Sequence, residues 1–262
     1  MIHSWLPAFR LVAHRGGRGP GWPVENTLAA FDEARRRGAV AIEFDVRTTA
    51  DGEVVVAHDA DLWRVAADHR RVSDVKRAAL EGLTLRDGSS SIPSLDALVA
   101  WANEHRVALN CELKHDVPSR RRLAKKTAMA LRHATVPMLI SSFDPVTLGL
   151  FAREIPELPR AILTEYKQGI ERTWLHRLAR VPFVQMVHPE YSEIDEAFVH
   201  NAKSRDLRIG TWTVNSPARA RQLLSLGVDY VITDDVGAMR SVTEVAAPNG
   251  VAEGSVTNVK EG

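Results

Sequence analysis

Short apolar runs rich in β-branched residues alternate along this chain with longer stretches whose apolar positions recur every three or four residues. The extended runs are residues 11–14 (LVAH), 40–46 (VAIEFDV), 54–57 (VVVA), 107–114 (VALNCELK), 138–142 (MLISS), 160–164 (RAILT), 183–187 (FVQMV), 208–214 (RIGTWTV) and 230–233 (YVIT). Between them the helical period predicts a helix carrying Leu28, Phe31 and Ala34, capped by Asn26 or Thr27 and stopped by Gly38. Further helices are predicted over 95–104, 120–133, 146–153, 170–179, 195–204 and 218–226. Strands joined by helical crossovers run parallel, with right-handed connections.

One run breaks the alternation. Residues 54–57 follow 40–46 with no helix between them, only Asp51-Gly52, which signals a two-residue type I′ hairpin. Setting that return arm aside leaves eight strands, and the fold class is α/β: a (β/α)8 TIM barrel with a β-hairpin and a short insertion after strand 2. Residues 60–92, the insertion, are polar and irregular apart from a short helix near 75–81. Residues 1–245 form one barrel domain, and 246–262, dominated by small and polar types, a flexible tail.

Glu43 and Asp45 are two apart on a strand and so share a face. A two-residue loop pairs Ala50 with Glu53 and sets Asp45 directly opposite His58, with Cβ atoms about 4.5–5.5 Å apart. In a barrel of this class the chemistry lies at the C-terminal strand ends. Those ends carry His14, Arg15, Glu43, Asp45, Glu112, Lys114, Ser142, Phe143, Thr164, Glu165, His188, Trp212, Thr233 and Asp234. Glu43, Asp45 and Glu112 offer only oxygen ligands, which suit a hard divalent cation, Mg2+ or Ca2+, better than zinc. Without an ion, or a counter-charge from Arg15 or Lys114, one of the three stays protonated. Arg15 and Lys114 suit an anionic ligand, and phosphate fits both. His14 and His58 form an acid/base pair suited to phosphodiester cleavage.

Composition narrows the partners. A formal net charge of +1 with 26% charged residues implies no polyelectrolyte, so no nucleic acid is expected, and the basic cluster at 120–126 reads as a solvated helix face. A single cysteine, Cys111, excludes an intrachain disulfide framework and a thiolate metal cluster. No basic leader precedes a long apolar core and no apolar run reaches 18 residues, so a cytoplasmic protein without stable membrane insertion is expected. Trp5, Trp22 and Trp63 are candidate lipid anchors, with packing the preferred role. Nothing in the pattern specifies an oligomeric state.

The motifs His14-Arg15-Gly16, Glu25-Asn26-Thr27-Leu28, Ile42-Glu43-Phe44-Asp45-Val46, Asp51-Gly52 and Ala57-His58-Asp59 resemble, in order and spacing, those of the glycerophosphodiester phosphodiesterase family. Ile92-Pro93-Ser94-Leu95, Asn110-Cys111-Glu112-Leu113-Lys114, Ser141-Ser142-Phe143, Thr211-Trp212-Thr213-Val214-Asn215 and Ile232-Thr233-Asp234 are similar to its later blocks. The resemblance spans roughly residues 10–240. It implies a barrel enzyme that hydrolyses glycerophosphodiesters to sn-glycerol 3-phosphate and an alcohol. It further implies a divalent cation on Glu43, Asp45 and Glu112, catalytic His14 and His58, phosphate contacts from Arg15 and Lys114, and Trp212 in the substrate pocket. Phe143 and His188 join that pocket by their strand-end positions, with a structural role the equal alternative for His188 and for Glu165. The chain departs from the family where Val24 separates Pro23 from Glu25, where Leu62-Trp63-Arg64 replaces a Thr-Thr segment, and in its abbreviated cap at 60–92. A lysophospholipase D acting on acylated glycerol, or a non-catalytic phosphodiester-binding barrel, are the competing readings.

Overall fold

The computed structural model describes residues 9–88, 91–165 and 183–242. Eight parallel strands close on themselves: β1 (Leu11–His14), β2 (Ala41–Thr48), β6 (Ala108–Leu113), β7 (Met138–Ser142), β8 (Arg160–Thr164), β9 (Met186–Pro189), β10 (Arg208–Thr211) and β11 (Tyr230–Thr233). The two chain ends of the sheet meet through β1, which pairs with β11 on one side and β2 on the other. The outer helices are α1 (Leu28–Arg36), α4 (Leu95–His105), α5 (Arg120–Leu131), α6 (Pro145–Ala152), α7 (Glu196–Lys203) and α8 (Pro217–Leu226). The expected helix at 170–179, the tail and Trp5 lie outside the described residues. No helix among the described residues is long and apolar enough to cross a membrane.

Helix starts follow the sequence. Thr27 and Ser94 accept from the backbone N–H three residues on, at 3.1 and 3.2 Å, and so cap α1 and α4. Strand β2 is buried along its whole length, and its two faces do different work. Ile42, Phe44 and Val46 face the helices, where the Phe44 and Trp101 rings pack on Phe31 with centroids 6.4 and 5.8 Å apart. Removing such a buried ring costs roughly 3–5 kcal/mol. Ala41 belongs instead to the separate apolar layer inside the barrel, with Val12, Ala108, Leu139, Ala161, Met186, Tyr230 and Ile232. Glu43 and Asp45 follow it on that inner face, above the layer.

The hairpin differs from the expected one. β3 (Val54–Val56) pairs antiparallel with the upper end of β2, but Val46 faces Val56 and Thr48 faces Val54. The closing pair is therefore Thr49 with Glu53, joined by Thr49 N–H to the Glu53 carbonyl at 2.9 Å, and the loop has three residues, Ala50-Asp51-Gly52. Gly52 takes the left-handed position at φ +79°, as the last residue of a three-residue hairpin loop requires. The Thr49 hydroxyl accepts from Glu53 N–H at 3.1 Å, which favours this closure. Asp45 consequently faces Ala57, not His58, with Ala57 N–H donating to the Asp45 carbonyl at 2.9 Å.

The insertion also has more structure than its polarity announced. A two-stranded sheet, β4 (Asp61–Leu62) and β5 (Asp68–Arg71), flanks the short helix α2 (Trp63–Ala66), and α3 (Arg77–Glu81) follows. Leu62, Val72, Val75, Leu80, Leu85 and Ile92 close over Val55 as a small second core.

Candidate active site

The upper barrel layers gather the strand-end residues around one cavity of about 250 Å³, whose lining includes His14, Glu43, Asn110, Glu112, Phe143 and Trp212. Glu43, Asp45 and Glu112 meet there, each able to aim a carboxylate oxygen within 4.8 Å of the others, and all three are buried. Parallel register explains the meeting, since Asp45 pairs with Glu112 and Glu43 with His14. Burial and then the neighbouring charges of Asp45 and Glu112 push the Glu43 carboxyl well above its usual range. Burial and Asp45 push Glu112 up to about 7, although Lys114 pulls the other way. Burial would raise Asp45 too, but Lys114, Arg15 and His58 hold it far below the ordinary carboxylate range. Three buried carboxylates this close, two of them still held above their usual range beside Arg15 and Lys114, fit a hard divalent cation.

Two cations sit against the triad. Lys114 Nζ donates to Glu112 at 2.8 Å and Asp45 at 3.2 Å. The Arg15 guanidinium pairs with Glu25 at 2.8 Å and lies 3.2 Å from Asp45, and its backbone N–H donates to Glu43 at 3.0 Å.

Each histidine is held by a carboxylate. His14 Nδ1 lies 2.7 Å from Asp234 Oδ1, and its Nε2 lies 3.9 Å from Glu43. Burial lowers the His14 pKa, with Asp234 opposing. His58 Nδ1 lies 2.6 Å from Asp59 Oδ1, and burial lowers its pKa also, against the pull of Asp45. With Ala57 paired to Asp45, an extended chain would turn His58 to the other face. The strand instead ends at Val56, one hydrogen bond from Ala57 continues it, and residues 58–60 bend, so the His58 ring still reaches the cavity. Arg47 secures the bend: its Nε donates to the His58 carbonyl at 2.8 Å, and its other end is clamped by Asp116 at 2.8 and 3.0 Å.

His58, Phe143, Leu163 and Glu165 form the junction between the inner cavity and an open groove of about 960 Å³, which also carries Lys114 and Trp63. The Phe143 and Trp212 rings meet edge to face with centroids 5.6 Å apart. His188, expected in the pocket, lies elsewhere: it is fully buried, shares a hydrogen bond with the Tyr230 hydroxyl, and is absent from the cavity lining. Its strand-end position is real, but the inward face there points into the barrel interior, and burial lowers its pKa to about 3. Trp22 packs on the core beneath the Arg37 guanidinium, 4.1 Å from its ring centre, whereas Trp63 is 49% exposed and stacked on His69.

Several partners escaped the sequence reading. Asp234 carried a legible signal, its position at the end of β11, but not its partner. Asn26 donates to Asp45 at 2.9 Å. Arg64 of the insertion reaches both Asp59 at 2.6 Å and Glu25 at 2.9 Å, tying the supports of His58 and Arg15 together. No local pattern marks Arg64 or Arg47 apart from other arginines.

The chain is similar to a glycerophosphodiester phosphodiesterase of Bacillus altitudinis, 30% identical over 236 residues that cover 86% of this chain and 94% of the relative. A glycerophosphodiester phosphodiesterase of Caldanaerobacter subterraneus is 28% identical over 233 residues, 86% of this chain and 93% of the relative. Among solved structures, an Oleispira antarctica phosphodiesterase in complex with the product sn-glycerol-3-phosphate superposes with a TM-score of 0.82 at 25% identity, covering 92% of this chain and 98% of that one. Residues 14–238 match the model of the glycerophosphoryl diester phosphodiesterase family, a span from the first catalytic candidate on β1 to beyond the last strand. The chain therefore belongs to the glycerophosphoryl diester phosphodiesterase family and is an enzyme of that type.

Proposed function

We propose that this protein hydrolyses glycerophosphodiesters to sn-glycerol 3-phosphate and an alcohol, using His14 and His58 as its acid/base pair and a divalent cation, Mg2+ or Ca2+. The observation that carries the proposal is the convergence, around the inner cavity and its mouth, of a buried carboxylate triad, two carboxylate-held histidines and the two cations paired with that triad. Glu43, Asp45 and Glu112 would hold the metal, which supplies neutralisation of charge on the phosphoryl oxygens. Arg15 and Lys114 bind the same oxygens from the protein side, exchanging part of their present pairing with Asp45 and Glu112 for the phosphate.

The cavities divide the labour between the histidines. The inner cavity is sized for the glycerol half, and the open groove takes the alcohol. His58 lies at their junction, where it protonates the departing alkoxide. His14 lies on the glycerol side, and a proton on Nδ1 held by Asp234 leaves Nε2 free to accept one from the attacking oxygen: either water, which gives sn-glycerol 3-phosphate directly, or the neighbouring glycerol hydroxyl, whose cyclic phosphate a water then opens. Phe143 and Trp212 wall the inner cavity, their rings meeting edge to face.

Glycerophosphocholine, glycerophosphoethanolamine and glycerophosphoglycerol should each release sn-glycerol 3-phosphate with Mg2+ or Ca2+, and EDTA should stop the reaction. Turnover that survives EDTA would remove the metal from the proposal. Full activity of both His14→Ala and His58→Ala would remove the acid/base pair. Preference for lysophosphatidylcholine would move the assignment to the lysophospholipase D reading.

A further inference from the structure

We propose that Asn110 reads a hydroxyl of the glycerol half at the floor of the inner cavity, which makes that free hydroxyl a condition of substrate choice. The inference rests on the phosphodiesterase reading above and adds to it a specificity residue. Asn110 pairs with Glu43 on one side and Leu139 on the other, and shares its strand face with Glu112 two residues later. It is fully buried yet lines the cavity. Its Oδ1 accepts from the Ser141 hydroxyl at 3.0 Å, which fixes the amide plane and turns Nδ2 away from that contact. Nδ2 has no hydrogen-bond partner among the described residues.

The other polar groups at this depth are already engaged. His14 is held by Asp234, Glu43 by the Arg15 backbone N–H, and Ser141 by Asn110 itself. The remaining lining residue at this depth, Ile232, is apolar. A buried amide donor left without an acceptor is unfavourable, and native proteins keep one chiefly where a ligand or water completes it.

Depth selects which part of the substrate arrives there. Asn110 stands level with its pair partner Glu43 and two residues below Glu112, about 7 Å down the strand from the level of Asp45, Glu112 and the Lys114 ammonium that pairs with both. A three-carbon glycerol unit directed inward from phosphorus brings its terminal hydroxyl to that level. The inner cavity, about 250 Å³, falls below the usual size of a small-molecule site, about 300–1,000 Å³, so it suits a glycerol unit better than a long acyl chain. The terminal hydroxyl accepts from Nδ2, and a glycerol lacking it leaves the amide unpaired.

The test compares glycerophosphocholine with its deoxy analogue, 2-hydroxypropyl phosphocholine, which lacks only the terminal hydroxyl. The wild-type enzyme should favour glycerophosphocholine by about 10- to 100-fold in kcat/KM, the range for one buried hydrogen bond whose partner is lost. Asn110→Leu, near in volume, should lose a similar factor on glycerophosphocholine, change little on the analogue, and bring the ratio within about threefold of unity. Mg2+ affinity measured by calorimetry should stay near wild type, separating this role from support of the metal site. Equal use of the two substrates by the wild-type enzyme would overturn the proposal without recourse to any variant. So would an Asn110→Leu enzyme that keeps the wild-type ratio. If the wild-type enzyme hydrolysed neither diester with Mg2+ or Ca2+, the phosphodiesterase reading would fall and this one with it; hydrolysis of both at equal rates would overturn Asn110 alone.

Discussion

Replacing Asp234 by Asn tests the support of His14 with little change of shape. The carboxylate accepts from His14 Nδ1 at 2.7 Å, from Asn215 Nδ2 at 2.8 Å, and pairs with Arg18 at 2.9 Å. Burial works to raise its pKa, but the His14 hydrogen bond and its other partners bring it to about 2 from 3.8. That difference corresponds to roughly 2 kcal/mol at most, reduced by solvent screening and shared among three partners, so roughly 1 kcal/mol is the portion tied to His14. The catalytic loss is larger than that fraction. An asparagine can present its NH2 to Nδ1 and so drive the imidazole proton to Nε2, the wrong tautomer for a base facing the cavity. The corresponding change in the serine protease triad lowers kcat about 10⁴-fold. Here, with Asn215 and Arg18 free to steer the amide, a loss of roughly 10- to 1,000-fold is expected. The pH profile carries the sharper signature. Asp234 raises the His14 pKa against burial, so removing its charge lowers that pKa further, and the acid limb of kcat/KM moves to lower pH. The assay is kcat and KM for glycerophosphocholine from pH 5 to 9 at saturating divalent cation, with KM within about threefold of wild type. A wild-type kcat, or an acid limb displaced upward, would refute the reasoning.

Glu112→Gln should abolish divalent-cation binding yet stabilise the metal-free protein at pH 8. The Glu112 pKa is raised to about 7, so the unfolded chain ionises first and stability falls as pH rises from 4.5 through 7. Denaturant melts with EDTA at pH 5 and 8 check this, with a gain of up to a few kcal/mol at pH 8 and little at pH 5. In the wild-type protein the same raised carboxyls make apparent Mg2+ or Ca2+ affinity climb with pH through about 7, measurable by calorimetry. His188→Gln addresses the barrel interior: the folded His188 pKa of about 3 lies below the unfolded 6.5, so its contribution is full above 6.5 and lost as pH falls toward 3. The variant should lose about 1.4 kcal/mol per pH unit of the wild-type slope of stability between pH 6 and 4, read from urea melts. Arg47→Met, which releases the His58 carbonyl, should cut kcat by about 10-fold or more while cation affinity stays unchanged; loss of both together would mean Arg47 supports the whole rim.

The candidate site was largely legible because its chemistry sits at strand ends. A two-residue period assigns Glu43 and Asp45 to one face whatever lies opposite, and parallel register then carries Glu112 to Asp45. Where the sequence reading went astray, a longer-range choice had intervened. Asp51-Gly52 fits a two-residue turn, but the Thr49 hydroxyl closing on Glu53 made a three-residue one, and the partner of Asp45 moved from His58 to Ala57. His188 obeys the strand-end rule and still misses the cavity, because Tyr230 meets it inside the barrel.

By itself, then, the sequence determined the order of the eight barrel strands, the described helices outside the insertion and the residues offered to the rim, since each depends on a period or cap spanning a few positions. Tertiary structure alone decided who faces whom. His14 and Asp234 are 220 residues apart and meet only because β1 and β11 close the barrel. Arg64 joins Asp59 to Glu25 only once the insertion folds over Val55. Asn110 exposes a free donor to the cavity only because Ser141, on the next strand, takes the other side of its amide. Such partnerships follow from strand closure and rotamer packing, which no local pattern encodes.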